Sequence, residues 1–193
     1  MTRPELTPKE NPLRRFAREE EGLIMTEFLI VLPLLIWMFI AMVVFWDTYR
    51  TINEAQKASY AVADAISRET ELSRSYLAGM ESVMELLMGR PNVVSMRITS
   101  VQWIEQTGRY KVIFSESPGN RRPPLTAAQV LALRDRIPTL DDGDTTVILE
   151  TWTRHIPAFN IGLNGMDFEN FITTRPRQSH RTCLVETLAT TCS

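Results

Sequence analysis

The sequence predicts an α+β protein: a long N-terminal transmembrane helix that continues into an extracytoplasmic domain with a small antiparallel sheet and two further helices. Three observations predict this class. Residues 28–46 form a run of 19 positions without a charge. Helix-compatible sequence, free of Pro and Gly, then continues to Ser67. Beyond it, β-branched and alternating stretches cluster between Val94 and Arg175, punctuated by turn residues.

As a helix the apolar run spans roughly 28 Å at about 1.5 Å per residue, close to a hydrocarbon core. It is apolar all round, whereas a helix on a soluble core shows one apolar stripe. Pro33 lies inside it; proline removes a helix hydrogen bond, a loss that membrane helices tolerate. Trp46 and Tyr49 suit the outer interface, while Trp37 falls mid-span.

Charge near the ends gives orientation. The leader, residues 1–22, holds five basic residues: Arg3, Lys9, Arg14, Arg15 and Arg18. The 20 residues after Trp46 hold only Arg50 and Lys57. Orientation follows Lys and Arg rather than net charge, so the leader is expected in the cytoplasm and the C-terminal part outside it. The expected divisions are a cytoplasmic leader at 1–22, a transmembrane helix at 23–46 and an extracytoplasmic domain at 47–193.

The net charge of −2 provides no basic field for nucleic acid. The two cysteines, Cys183 and Cys192, have eight residues between them near the C-terminal end. A disulfide closing a short tail loop suits an oxidising compartment; two free thiols are the other reading.

Glu27 stands at the mouth of the apolar run, five residues after Gly22. A charge there is expensive, up to about 2.5–3.5 kcal/mol if carried to the helix centre. Three readings of this N-terminus compete. A cleaved secretory signal needs a shorter apolar region and a nearby small-residue site. The nearest patterns, Ala61-Val62-Ala63 and Ala63-Asp64-Ala65, lie far downstream in helix-compatible sequence. A plain anchor explains length and orientation but gives Gly22 and Glu27 no role. Cleavage after Gly22 keeps the apolar helix, makes Leu23 the new N-terminus and makes Glu27 the fifth mature residue. The new α-amino group would then lie one helical turn from Glu27, or meet the carboxylate of a neighbouring subunit. Such pairing offsets desolvation that each charge alone would suffer. The helix N-terminus also favours a carboxylate in its first turn.

The third arrangement resembles the signals of type IV pilins and pseudopilins, which a prepilin peptidase cuts on the cytoplasmic side. The likeness extends along Arg14-Arg15-Phe16-Ala17-Arg18-Glu19-Glu20-Glu21-Gly22 and Thr26-Glu27-Phe28-Leu29-Ile30-Val31-Leu32-Pro33-Leu34-Leu35. These stretches are similar to TadE/TadG-like proteins, minor-pseudopilin-like components of the Tad/Flp tight-adherence pilus. The pattern is a basic stretch with Phe, then Gly, then Glu-Phe and an apolar run through Leu-Pro-Leu. Met25-Thr26 departs from the Ala-Val of many relatives, and Leu23 from the Phe common at the mature start of pilins. The close match covers roughly residues 14–50, with a looser one in the C-terminal region.

The resemblance implies a bacterial inner-membrane protein needed for assembly of an adhesive pilus. It implies processing at Gly22, Leu23 and Glu27, and assembly contacts through Glu27, Phe28 and Pro33. Its partners would be the membrane, prepilin peptidase, other pilins or pseudopilins and the Tad machinery, with no nucleic acid. The alternative is a single-pass anchored extracytoplasmic binding module that is not processed as a pilin.

Ile52, Ala55, Ser59, Val62 and Ile66 recur at helical spacing, so the first helix is expected over 23–67. A second is expected over 71–88, capped by Thr70 and ended by Gly89 and Pro91, with a stripe of Leu72, Tyr76, Met80, Val83, Met84 and Leu87. Strands are expected over 94–105 and 110–115 about a turn at 106–109. A loop at 117–124 leads to a short helix over 127–137, capped by Thr126, with Val130, Leu133 and Ile137 on one face. After a turn at 141–144 come strands over 145–155 and 171–175. Between them a loop offers Ile156, Phe159, Ile161, Leu163, Met166 and Phe168 as apolar anchors.

No nucleophile elbow, zinc-protease motif, phosphate loop or Cys-x-x-Cys is present, and the 141–144 turn lacks calcium-loop spacing. His155 and His180 are the only histidines and stand on separate segments; His155 reads as a strand residue. The expectation is a non-enzyme with no cofactor and no metal.

Overall fold

A computed structural model describes residues 21–90, 93–159, 162 and 164–185. The chain divides into two compact units, Met1–Phe45 and Trp46–Ser193. One helix, α1 (Glu21–Ser67), runs through the division. Its part before Trp46 is the apolar run, with Pro33 inside the helix. The window of highest hydropathy averages 2.9, and the helix is long and apolar enough to cross a membrane.

The second unit is α+β. In chain order it holds the rest of α1, β1 (Glu71–Leu72), α2 (Arg74–Met88), β2 (Val94–Ile104), β3 (Arg109–Glu116), α3 (Ala127–Ala132), β4 (Thr145–His155), β5 (Met166–Thr174) and β6 (Cys183–Leu184). Strands β3-β2-β4-β5 form one antiparallel sheet in that spatial order. A bulge at Ser100/Val101 shifts the β2–β3 register. β1 and β6 pair in parallel, Leu72 opposite Leu184.

Strand alternation gives the sheet two faces with two cores. On one side, Ala55, Val62 and Ile66 of α1 and Leu77 and Met84 of α2 join a core with Met96, Ile98 and Leu149 of the sheet. Small residues on α1 let its backbone approach closely. Ser59 marks the approach: its hydroxyl donates to the Ala55 carbonyl at 2.7 Å and lies 2.8 Å from Thr151 Oγ1 on β4. With the Ser59 proton so engaged, Thr151 is the donor between the two hydroxyls. On the other face, Leu125, Val130 and Ile137 cover Val101, Tyr110 and Ile148. This second core holds the 117–140 segment down on the sheet.

Several expectations are corrected. Residues 71–72 are a strand rather than the start of α2. Ser73 is the cap, its hydroxyl accepting from the Tyr76 N–H at 3.1 Å. Leu72 is drawn into the long-range pairing with β6, which local pattern does not reveal. α2 also meets the core along a different stripe: Leu77, Glu81, Met84 and Met88 are buried, while Val83 and Leu87 are exposed. Tyr76 and Met80 pack at the core edge.

Helix α3 stops at Ala132 and passes into a 3-10 turn, Arg134–Arg136. Pro138 accounts for the end of that turn, since it pushes Ile137 to extended dihedrals, φ −100° and ψ 131°. Thr126 does cap α3, in a reciprocal box with Gln129. β5 begins at Met166, five residues before its expected start. Of the expected apolar anchors, Ile156 and Phe159 are exposed, Met166 and Phe168 belong to β5, and Ile161 and Leu163 lie outside the described residues.

Candidate functional site

Gly22 and Leu23 lie in the opening residues of α1, and Glu27 follows in the same helix. The leader up to residue 20 lies outside the described residues. Glu27 is solvent-facing. So are its apolar neighbours: Phe28 is 59% exposed, Leu29 75% and Trp37 59%. Pro33 cannot donate to the carbonyl of Leu29, so the helix ladder is short of one bond inside the apolar stretch. The expected processing and assembly residues thus occupy one helical segment whose apolar surface the chain itself leaves bare.

A second grouping was not anticipated. His155, the last residue of β4, is fully buried among Asp47 and Thr48 of α1 and Arg90, just beyond α2. Thr48 Oγ1 lies 3.2 Å from His155 Nε2, and an Arg90 terminal nitrogen lies 3.2 Å from Nδ1. Asp47 Oδ2 stands 3.7 Å from Nε2, and Asp47 Oδ1 is 3.4 Å from Arg90. Phe168 stacks near the imidazole, ring centres 6.1 Å apart.

A guanidinium can only donate, so Nδ1 must accept from Arg90. The ring is then neutral with its proton on Nε2, which donates to the Thr48 hydroxyl. Burial pushes the His155 pKa down; Asp47 opposes this, and Arg90 adds to it. The Asp47 carboxylate therefore balances the guanidinium while the imidazole stays uncharged. Asp47, the first charge after the apolar run, and His155, ending a strong strand, were the available signals in sequence. Their meeting depends on tertiary structure.

The sheet face that the second core covers carries a third grouping. Arg97 donates to Glu150 Oε2 at 2.7 Å and to the Pro123 carbonyl at 2.7 Å, and both charged side chains are nearly buried. Trp152 carries two guanidiniums, Arg122 at 4.3 Å and Arg97 at 5.2 Å from the ring centre. Arg136 lies over Phe171 at 4.1 Å and Arg134 over Trp103 at 5.5 Å.

Cys183 is disulfide-bonded, and Cys192, its expected partner, lies outside the described residues. The two histidines remain apart, since His180 sits on the connection before β6, where its carbonyl accepts from Thr145. Among the described residues, no three His, Cys, Asp or Glu side chains group as a metal site. The chain matches none of the protein families, curated proteins or solved structures compared with it.

Proposed function

We propose that this chain is a TadE/TadG-like, pseudopilin-like component needed to assemble a Tad/Flp-type adhesive pilus. One observation carries the reading: Gly22, Leu23 and Glu27 stand at pilin-signal spacing at the head of an exposed apolar helix that runs into an α+β unit. Prepilin peptidase removes the leader at Gly22, and Leu23 begins the mature protein. The helix crosses the bacterial inner membrane with its N-terminus cytoplasmic and its folded domain outside. Glu27 pairs with an α-amino group, its own or a neighbouring subunit's, and that pairing sets register. Phe28 and Pro33 shape the lateral contacts with other pilins or pseudopilins. The domain is presented to the assembly machinery, and no catalytic role is assigned.

Glu27→Ala tests the role of the carboxylate. The reading expects normal leader removal and a loss of surface pili in cells whose only copy carries this change. Wild-type piliation by Glu27→Ala would remove the role. A second reading, an anchored binding module without processing, is favoured by the two cores that the domain builds from its own residues. It expects tolerance of changes at both Gly22 and Glu27.

A further inference from the structure

We propose that the cleft between Trp152 and Arg121-Arg122 binds a carboxylate side chain of an acidic peptide segment on a partner protein. The cleft is lined by Val93, Ser95, Arg121, Arg122, Trp152 and Arg154, and encloses about 210 Å³. That is below the roughly 300 Å³ at which small-molecule pockets begin, and suits one inserted side chain.

Three guanidiniums face this space against a single carboxylate, Asp167. Their internal partnering is uneven. Arg121 donates to the Val94 carbonyl at 2.7 Å and stands 3.7 Å from Glu81. Arg122 reaches Ser95 Oγ only at 3.4 Å, and Arg154 reaches Asp167 only at 3.9 Å. Arg97, by contrast, is closed off by Glu150 and adds little field to the cleft. Arg122 and Arg154 therefore retain donors for an incoming anion.

Trp152 narrows the kind of ligand. With Arg122 and Arg97 against its ring, it does not offer a bare platform for stacking a sugar or a base. It holds the Arg122 plane in place instead. A pre-oriented guanidinium presents a flat fork of N–H groups, which matches an oxyanion such as a carboxylate bidentately. This inference is independent of the pilus reading.

The test uses the full chain in detergent micelles and a fluorescently labelled oligoglutamate peptide, read by anisotropy. Saturable binding is expected, weakened about tenfold or more by Arg122→Gln/Arg154→Gln, since each charge-assisted bond is worth more than a neutral one. Arg122→Lys, which keeps charge and disturbs the fold least, is expected to lose part of the affinity. Arg109→Gln, at the exposed start of β3, is expected to bind as wild type. Equal binding by wild type and the double variant would overturn the proposal. So would equal binding of an oligolysine peptide, or displacement by inorganic phosphate at matched charge as effective as by unlabelled peptide.

Discussion

Thr48 Oγ1 and His155 Nε2 lie 3.2 Å apart although 107 residues separate them in sequence. The contact fixes the end of β4 to the helix just past its apolar run. Because Arg90 occupies Nδ1 as a donor, this attachment requires a neutral imidazole.

Acid should therefore weaken the domain. The folded-state pKa of His155 lies below its ordinary value near 6.5, so the unfolded chain takes up the proton first. Its contribution is present in full above that ordinary value and is lost as pH falls from there toward the folded value. Melting temperature followed against pH should drop over this window in wild type. His155→Gln should flatten that part of the profile, at a neutral-pH cost of about 1–3 kcal/mol for the broken buried bonds. An unchanged profile would show that another group governs the acid response.

The Arg97–Glu150 pair should behave as a unit. Glu150→Ala leaves a nearly buried guanidinium without its carboxylate and should cost about 3–5 kcal/mol in urea unfolding. Arg97→Met/Glu150→Leu should cost less than Glu150→Ala alone, because no buried charge is stranded. Additive losses in the double-mutant cycle would contradict this.

Two glycines of the α2 region should respond with opposite signs to alanine. Gly89 caps α2 at φ 63°, with nothing within 4 Å of an added Cβ, so Gly89→Ala should destabilise by about 1–2 kcal/mol through backbone strain alone. Gly79 sits inside α2, also with nothing within 4 Å, and Gly79→Ala should stabilise by about 0.5–1 kcal/mol. Thermal melts of the two variants check both.

Local pattern revealed the elements whose signals are local. The first helix ends at Ser67 and β4 spans Thr145–His155, both as periodicity and β-branched content indicate. Ala55, Ser59, Val62 and Ile66 are buried as their spacing implies, while Ile52 is half-buried. What escaped depends on distant partners. β1 exists because β6 lies beside it, and tertiary packing sets Leu77 rather than Leu87 in the core. The candidate processing segment is proposed from a contiguous motif, Gly22 to Glu27. The His155 cluster was not legible, since α1, the end of α2 and β4 each supply part of it.

The most direct test is the intact mass of the protein purified from cells with and without active prepilin peptidase. The account predicts a chain beginning at Leu23 when the peptidase is active and the full leader when it is not. A leader retained in both would contradict it and leave the anchored binding module as the reading of this chain.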